Sequence, residues 1–323
     1  MKICDLAVSK ELEALIDEVQ SLNPEQPLKW ETADQLVGGG VVESSRGFKA
    51  EDTTIRLSKA RLEESSNQKM DPSLEMTIAH ELMHMWCKRS GYPRVLLVLT
   101  AEIGINEVVG GNIEDLVEHN IVLSEVKRRG FDLSGYFGEF DQAFYKWPLN
   151  DPGEARNHFL NAFKIAHWRL YMDPREETFR YLESNFPNTL NTAMQIKDVV
   201  EKFNPVSPDG CRRCMIGVIR LLDEMTGSVP PFSVRLGLDL VLSERQLSSP
   251  ASAYVSLRLF RAGEIMNQNN MLQLYFLPDR FFFATLVFPE EPDQAIISGL
   301  SNSINRLTLK ELLDINEIRY TVR

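Results

Sequence analysis

The sequence predicts an α+β fold, and three observations support that prediction. At 323 residues, the chain is long enough for two or three domains with their own cores. Apolar residues recur at helical spacing in several segments of the first 227 positions, whereas 232–242 and 272–288 alternate apolar and polar residues or run apolar, as strands do. The composition, 43% hydrophobic and 25% charged, is that of a soluble globular protein. We expect a first domain over 1–150, a helical region over 151–227 and a small α+β domain over 228–323.

Charge and composition exclude several classes of protein. A formal net charge of −11 argues against general nucleic-acid binding, which requires a basic surface. The first five residues lack the apolar core of a signal peptide, and no apolar stretch is long enough to span a bilayer. Four cysteines do not form a disulfide framework in a chain of this length. We therefore expect a cytoplasmic protein with no membrane partner.

The first elements are predicted by periodicity. Ser9 to Leu22 has the pattern of an amphipathic helix, with one apolar face formed by Leu12, Leu15, Ile16 and Val19. The alternating, β-branched run from Thr53 to Leu57 predicts a strand. That strand is either an interior sheet strand or an edge strand on which a peptide pairs.

A helix with defined ends follows the strand. Asp71 is a good N-cap, Pro72 suits the first helical position, and Gly91 and Pro93 end the helix. Beyond a short apolar run at 95–99, residues 102–129 are again helical in pattern, with a possible break near Gly110-Gly111.

The first of these helices carries the sequence His80-Glu81-Leu82-Met83-His84, which reads H-E-x-x-H. Two imidazoles four residues apart share one helix face, and their spacing suits a zinc ion. Glu81 beside them is placed to accept a proton from a water molecule activated by the metal. Because the chain has only five histidines, a chance pairing on a capped, apolar helix is a poor explanation.

A catalytic zinc ion usually takes three protein ligands, and the segment from Asn112 to His119 holds candidates for the third. Glu114 and Glu118 share one face of this predicted helix, and Asp115 and His119 share another. One residue of such a pair could bind the metal while a carboxylate orients a ligating histidine. We place Glu114 first, then His119, and then Glu118 or Glu102.

The region from about Thr53 to Arg129 resembles a zincin metallopeptidase of the gluzincin kind, in the order strand, H-E-x-x-H helix, helix with an acidic ligand. Ile78-Ala79-His80-Glu81-Leu82 is similar to the motif of the ImmA/IrrE-type bacterial metallopeptidases. In that family the later glutamate precedes an Ala-Asn pair, whereas Val117-Glu118 follows Glu114 here. The resemblance implies a zincin-like fold and a protein substrate such as a transcriptional repressor.

Three other features have plain structural explanations. Cys211 and Cys214 form a C-x-x-C at a helix start, but no second pair exists, so a structural role is favoured over a redox or zinc site. His158 and His167, on a helix predicted from Ala155 to Tyr171, are interpreted as packed or solvent-facing side chains. The domain at 228–323 carries no catalytic motif and could present a surface to a regulatory partner.

The sequence thus favours a zinc-dependent peptidase that acts on a protein or peptide substrate, with His80, His84 and a third group holding Zn²⁺. Glu81 would take a proton from the attacking water and pass it to the leaving amine. The alternative is a non-catalytic or regulatory protein whose zinc is structural and is closed by a fourth protein ligand.

Overall fold

The computed structural model confirms an α+β chain in which helices predominate and the strands are short. It describes residues 1–34, 36, 42–44, 54–63, 65, 69–97, 103–135, 137, 155–172, 176–226, 232, 236–238, 240–242, 244–253, 257–261, 272–275, 283–288, 294–315 and 320–322. None of the described helices combines the length and the apolar character that a membrane span requires.

Two compact units make up the chain. The first unit consists of Met1–Tyr92, Glu118–Pro152 and His167–Arg180. The second consists of Pro93–Val117, Gly153–Ala166 and Tyr181–Arg323. Each unit draws on segments that are far apart in sequence, so the division into 1–150, 151–227 and 228–323 stays a prediction.

Helices account for most of the described residues. In chain order they are α1 (Lys10–Ser21), α2 (Lys59–Glu63), α3 (Pro72–Arg89), α4 (Ile103–Arg128), α5 (Ala155–Tyr171), α6 (Glu176–Asn185), α7 (Pro187–Phe203), α8 (Pro208–Thr226), α9 (Glu244–Leu247), α10 (Gln294–Arg306) and α11 (Leu309–Ile315). The helix α6 has no counterpart in the sequence prediction.

The strands are short and form several small sheets. In chain order they are β1 (Lys2–Ile3), β2 (Leu6–Ala7), β3 (Lys29–Ala33), β4 (Val42–Ser44), β5 (Thr54–Ser58), β6 (Val95–Leu97), β7 (Leu236–Leu238), β8 (Leu240–Leu242), β9 (Leu257–Arg261), β10 (Leu272–Tyr275), β11 (Phe283–Phe288) and β12 (Tyr320–Val322). In the second unit, β11 pairs antiparallel with β10 and parallel with β9, and the pairs β6–β7 and β8–β12 stand apart from them.

In the first unit, α1 packs against α3, and both helices have the ends that the sequence predicts. The Ser9 hydroxyl accepts the Leu12 N–H at the start of α1, whose four predicted apolar residues are all buried. At the start of α3, the Asp71 carboxylate accepts the N–H groups of Ser73 and Leu74 at 2.9 and 3.3 Å. These bonds satisfy amide groups that have no partner within the helix, so they fix where α3 begins.

The sheet beside α3 has the order β3–β5–β4. Its strand β5 pairs parallel with β3 and antiparallel with β4, so it lies in the centre of the sheet. The interpretation of this strand as an edge strand is therefore wrong. Both sides of its backbone already have strand partners, and the edge that lies against α3 belongs to β4.

Two predicted helix boundaries are also corrected. The helix α4 runs unbroken through Gly110-Gly111. A Cβ on Gly110 would lie 3.0 Å from Cγ1 of Val95, so this glycine allows the helix and β6 to approach closely. The second correction is near the C-terminus, where the sequence pattern predicts a single helix from Asp293 to Leu313. The structure has two helices there, α10 and α11, because Thr308 and Glu311 form a reciprocal N-terminal cap that starts α11.

Candidate metal centre

Three histidines gather in the first unit. The helix α3 carries His80 and His84 one turn apart, and the last turns of α4 bring His119 to them. The ring centroids are 4.8 Å apart for His80 and His84, 5.0 Å for His80 and His119, and 4.9 Å for His84 and His119. One donor atom from each ring lies within 4.8 Å of the others. Such a nearly equilateral set of imidazoles is a candidate metal centre.

Burial shows that this cluster is not a chance surface grouping. His80, His84 and His119 expose only 5, 6 and 4% of their surface. Glu81 and Glu118 are buried beside them. Burying polar and ionised groups costs free energy unless they are paired, so a fold that concentrates five of them requires compensating contacts or a bound ion.

The Glu118 carboxylate fixes the tautomer of His84. Its Oε2 lies 2.8 Å from Nδ1 of His84. Because an ionised carboxylate only accepts hydrogen bonds, Nδ1 of His84 carries the proton and donates it. The neutral ring then has its lone pair on Nε2, as a metal ligand requires.

The same reasoning applies to His80. Its Nδ1 lies 3.2 Å from Oε1 of Glu81, and its Nε2 lies 2.9 Å from Nε2 of His119. A proton on Nδ1 leaves the lone pair of His80 on Nε2, directed at the ring of the third histidine. Two nitrogens bound to one tetrahedral zinc are roughly 3.3 Å apart. The facing nitrogens of His80 and His119 therefore need to separate by only a few tenths of an ångström to hold such an ion. The donor atoms of the three rings are up to 4.8 Å apart, so the most distant ones must come closer.

The charges of the cluster also suit a divalent cation. With the three imidazoles neutral and the carboxylates of Glu81 and Glu118 ionised, the group would carry a charge of −2. A bound cation would compensate this buried charge, so the five side chains together suit a divalent ion.

The structure assigns different partners to the other predicted ligands. In the second unit, the Glu114 carboxylate forms an ion pair with Arg94 and accepts the Val95 N–H at 3.0 Å. Burial raises the pKa of Glu114, whereas Arg94 and the Val95 N–H act to lower it. Glu118 contacts His84 as the orienting carboxylate, one of the two roles predicted for this segment. Glu102 lies outside the described residues.

The packed position that the sequence interpretation allowed for His167 is confirmed, but its contact with the histidine cluster was not predicted. His167 is buried at the end of α5, with its ring centroid 4.7 Å from that of His119. Four of the five histidines therefore lie in or against one cluster. Histidine is rare in this chain, and that rarity, which supported the interpretation of His80 and His84, could also have indicated that His167 lies near them. The fifth, His158, contacts the Thr189 and Thr192 hydroxyls at 3.1 and 3.0 Å.

No protein-family model, curated protein or solved structure matches this chain. The resemblance to zincin metallopeptidases therefore stays a prediction from the residues between Thr53 and Arg129.

Proposed function

We propose that this protein is a zinc-dependent hydrolase that cleaves peptide bonds, with His80, His84 and His119 as the metal ligands. The observation that supports it most is the buried group of three imidazoles with two carboxylates beside it. Of the candidates for the third ligand, His119 is the one whose ring meets the other two.

Each polar residue of the cluster has a role in this proposal. A divalent ion in such a site lowers the pKa of a water molecule and polarises a carbonyl group. In this structure the Glu81 carboxylate contacts Nδ1 of His80, the nitrogen that faces away from the proposed ion. The scheme therefore requires Glu81 to turn toward the attacking water, accept its proton and deliver that proton to the leaving amine. Glu118 holds His84 in its ligating tautomer, and burial keeps bulk water away from the reacting groups.

The proposed substrate is an extended segment of a protein or peptide. Among the described strands, β4 pairs on one side only, with β5, and it lies against α3. An extended peptide that forms main-chain hydrogen bonds with the other side of β4 would lie next to the helix that carries the motif. This arrangement would bring a peptide bond to the cluster without requiring a particular side chain.

The substitution Glu81→Gln tests the proposal. It keeps the shape of the side chain and removes the base, so we expect hydrolysis of a fluorescence-quenched peptide library to fall at least about 100-fold. We expect zinc content, measured by plasma mass spectrometry, to stay at about one per chain. Glu177→Gln, at an exposed position on α6, is the matched control and should retain full activity. Full activity in Glu81→Gln would refute the catalytic scheme.

A structural zinc site is the second candidate, and the depth of the cluster favours it, since the three rings are almost entirely buried. In that case removal of zinc by a chelator would lower the melting temperature sharply. A catalytic site predicts loss of hydrolysis with a smaller change in melting temperature.

A further inference from the structure

His167 and Tyr171 stand beside the three-histidine cluster on the last turns of α5. The ring of His167 is nearly perpendicular to that of His119, at an interplanar angle of 86° and a centroid separation of 4.7 Å. One helical turn later, Tyr171 packs against His167 with its ring centroid 4.9 Å away. The Tyr171 centroid is 6.3 Å from that of His119. These three rings form one aromatic cluster, in which both His167 and Tyr171 contact the third ligand, His119.

The position of His167 differs from that of the ligating rings. Within the part of the chain that the structure describes, the group whose donor atoms lie close enough to share an ion consists of His80, His84 and His119, and His167 is not a member. Its contact with the cluster is ring to ring. A perpendicular arrangement is a favourable geometry for two aromatic rings, and it limits rotation of the ring that it touches.

The three ligands therefore have different supports. His84 and His80 have carboxylates next to their outer nitrogens, at 2.8 and 3.2 Å. The ring of His119 has the ring of His167 packed against it, at a centroid separation of 4.7 Å. Residues that orient metal ligands affect metal binding almost as strongly as some ligands do, because a wrongly rotated ring presents no lone pair to the ion.

We infer that His167 is a positioning residue for His119, and that it acts through the packing of its ring and not as a fourth ligand. Tyr171 contacts the rings of both His167 and His119 and so packs against this pair. Among the residues that the structure describes, the ligand group has three members, so a four-coordinate ion held by them would keep one position for water or substrate. This inference rests on the proposed metal centre and deepens the proposed function, since an open position separates a catalytic zinc site from a structural one.

The test compares two substitutions in the full-length protein. His167→Phe keeps an aromatic ring and removes both nitrogens, whereas His167→Ala removes the ring. The affinity for Co²⁺ is measured by competition with a chromophoric chelator, and the visible spectrum of the Co²⁺ protein reports on the ligand set. His158→Gln, on the same helix and bonded to two threonine hydroxyls, is the matched control.

We expect His167→Phe to bind Co²⁺ within about 3-fold of the wild-type affinity, with an unchanged spectrum, because the aromatic contact is retained. We expect His167→Ala to bind about 10-fold more weakly. Acetohydroxamic acid, a small ligand for metal ions, should change the Co²⁺ spectrum of both the wild type and His167→Phe, because both have an open position.

Two results would overturn the inference. One is loss of the Co²⁺ spectrum in His167→Phe, which would identify His167 as a ligand. The other is a Co²⁺ spectrum that responds to acetohydroxamic acid in His167→Phe but not in the wild type, which would mean that His167 occupies the fourth position. Neither measurement depends on hydrolysis. If Co²⁺ binds as expected and the peptide library stays uncleaved, the peptidase proposal fails and the positioning role stands.

Discussion

The two pairs of potential ligands in this protein have very different surroundings. His80 and His84 lie four residues apart on α3, and Cys211 and Cys214 lie three residues apart on α8, so in each pair the two side chains share a helix face. All four side chains are buried. The histidines meet Glu118 and His119, which a different helix supplies. The Cys211 thiol donates to the Pro205 carbonyl at 3.5 Å, and burial raises the pKa of Cys214 to about 12.

This difference shows what spacing alone determines. A helix places two ligands on one face whatever surrounds them, but a metal site also needs a third ligand and a compensating charge. For the histidines, these come from a segment 34 to 39 residues further along the chain. For the cysteines, a thiol with a raised pKa remains protonated at neutral pH and is neither a good metal ligand nor a good nucleophile.

The largest expected effect is on metal content. We expect His84→Ala to reduce bound zinc from about one per chain to nearly none, because two imidazoles are too few to hold the ion against dialysis. The double substitution of alanine for Cys211 and Cys214 should leave zinc content unchanged. Plasma mass spectrometry of the dialysed proteins measures both.

Circular dichroism of the same samples is the control, since the His84→Ala protein must remain helical for its zinc content to be interpreted. If the double cysteine variant loses its zinc and His84→Ala keeps it, the cysteines and not the histidines hold the metal.

The helices and the paired histidines could be predicted from the sequence because their signals are local. Asp71, Pro72 and the apolar pattern define α3 without reference to the rest of the chain. The choice among Glu114, Glu118 and His119 was not local. It depends on which side chain finds a partner in space, and Arg94, the partner of Glu114, lies twenty residues earlier in a segment with no motif. The contact of His167 with His119 could not be predicted for the same reason, although its packed position was one of the two that the sequence interpretation allowed.

The pair of Glu114 and Arg94 offers the next largest effect. The substitution Arg94→Met leaves a buried carboxylate without its cation, and we expect the free energy of unfolding at pH 7 to fall by about 3–5 kcal/mol. Denaturation in urea measures it. Arg56→Met is the control, because Arg56 and Glu31 form an exposed pair at 3.2 Å and should lose less than about 1 kcal/mol.

The pH dependence of this effect has a defined sign. Burial raises the pKa of Glu114 in the folded protein, and Arg94 opposes that rise, so the variant has a still higher pKa. A group whose pKa is raised by folding loses stabilisation as the pH increases from its unfolded pKa through its folded pKa. The difference between Arg94→Met and the wild type should therefore be larger at pH 7 than at pH 4. A difference that grows toward pH 4 would contradict this explanation.

The substitution Glu118→Gln tests how much the carboxylate next to His84 contributes to zinc affinity. The amide keeps an oxygen that can accept the Nδ1–H of His84 but removes the negative charge that balances the ion. We expect zinc affinity to fall about 10- to 100-fold, as for other residues that orient ligands. Competition with a chromophoric chelator measures the affinity. Glu125→Gln, on the same helix and paired with Arg128, should bind zinc as the wild type does. If Glu118→Gln and Glu125→Gln bind zinc with the same affinity, Glu118 does not support the metal site.

The smallest expected effect is on the reactivity of the cysteine thiols toward a disulfide reagent. Cys4 is exposed, whereas Cys87, Cys211 and Cys214 are buried. Only the thiolate attacks a disulfide reagent, and with a pKa of about 12 for Cys214, roughly one such thiol in 10,000 is ionised at pH 8. We therefore expect Ellman's reagent to modify about one cysteine in the native protein and all four in guanidinium chloride. Rapid modification of Cys211 or Cys214 in the folded state would show that this pair is reactive. The contrast with the histidines would then rest on the ligand groups alone, since among the described residues the group that could hold a metal contains His80, His84 and His119 and neither cysteine.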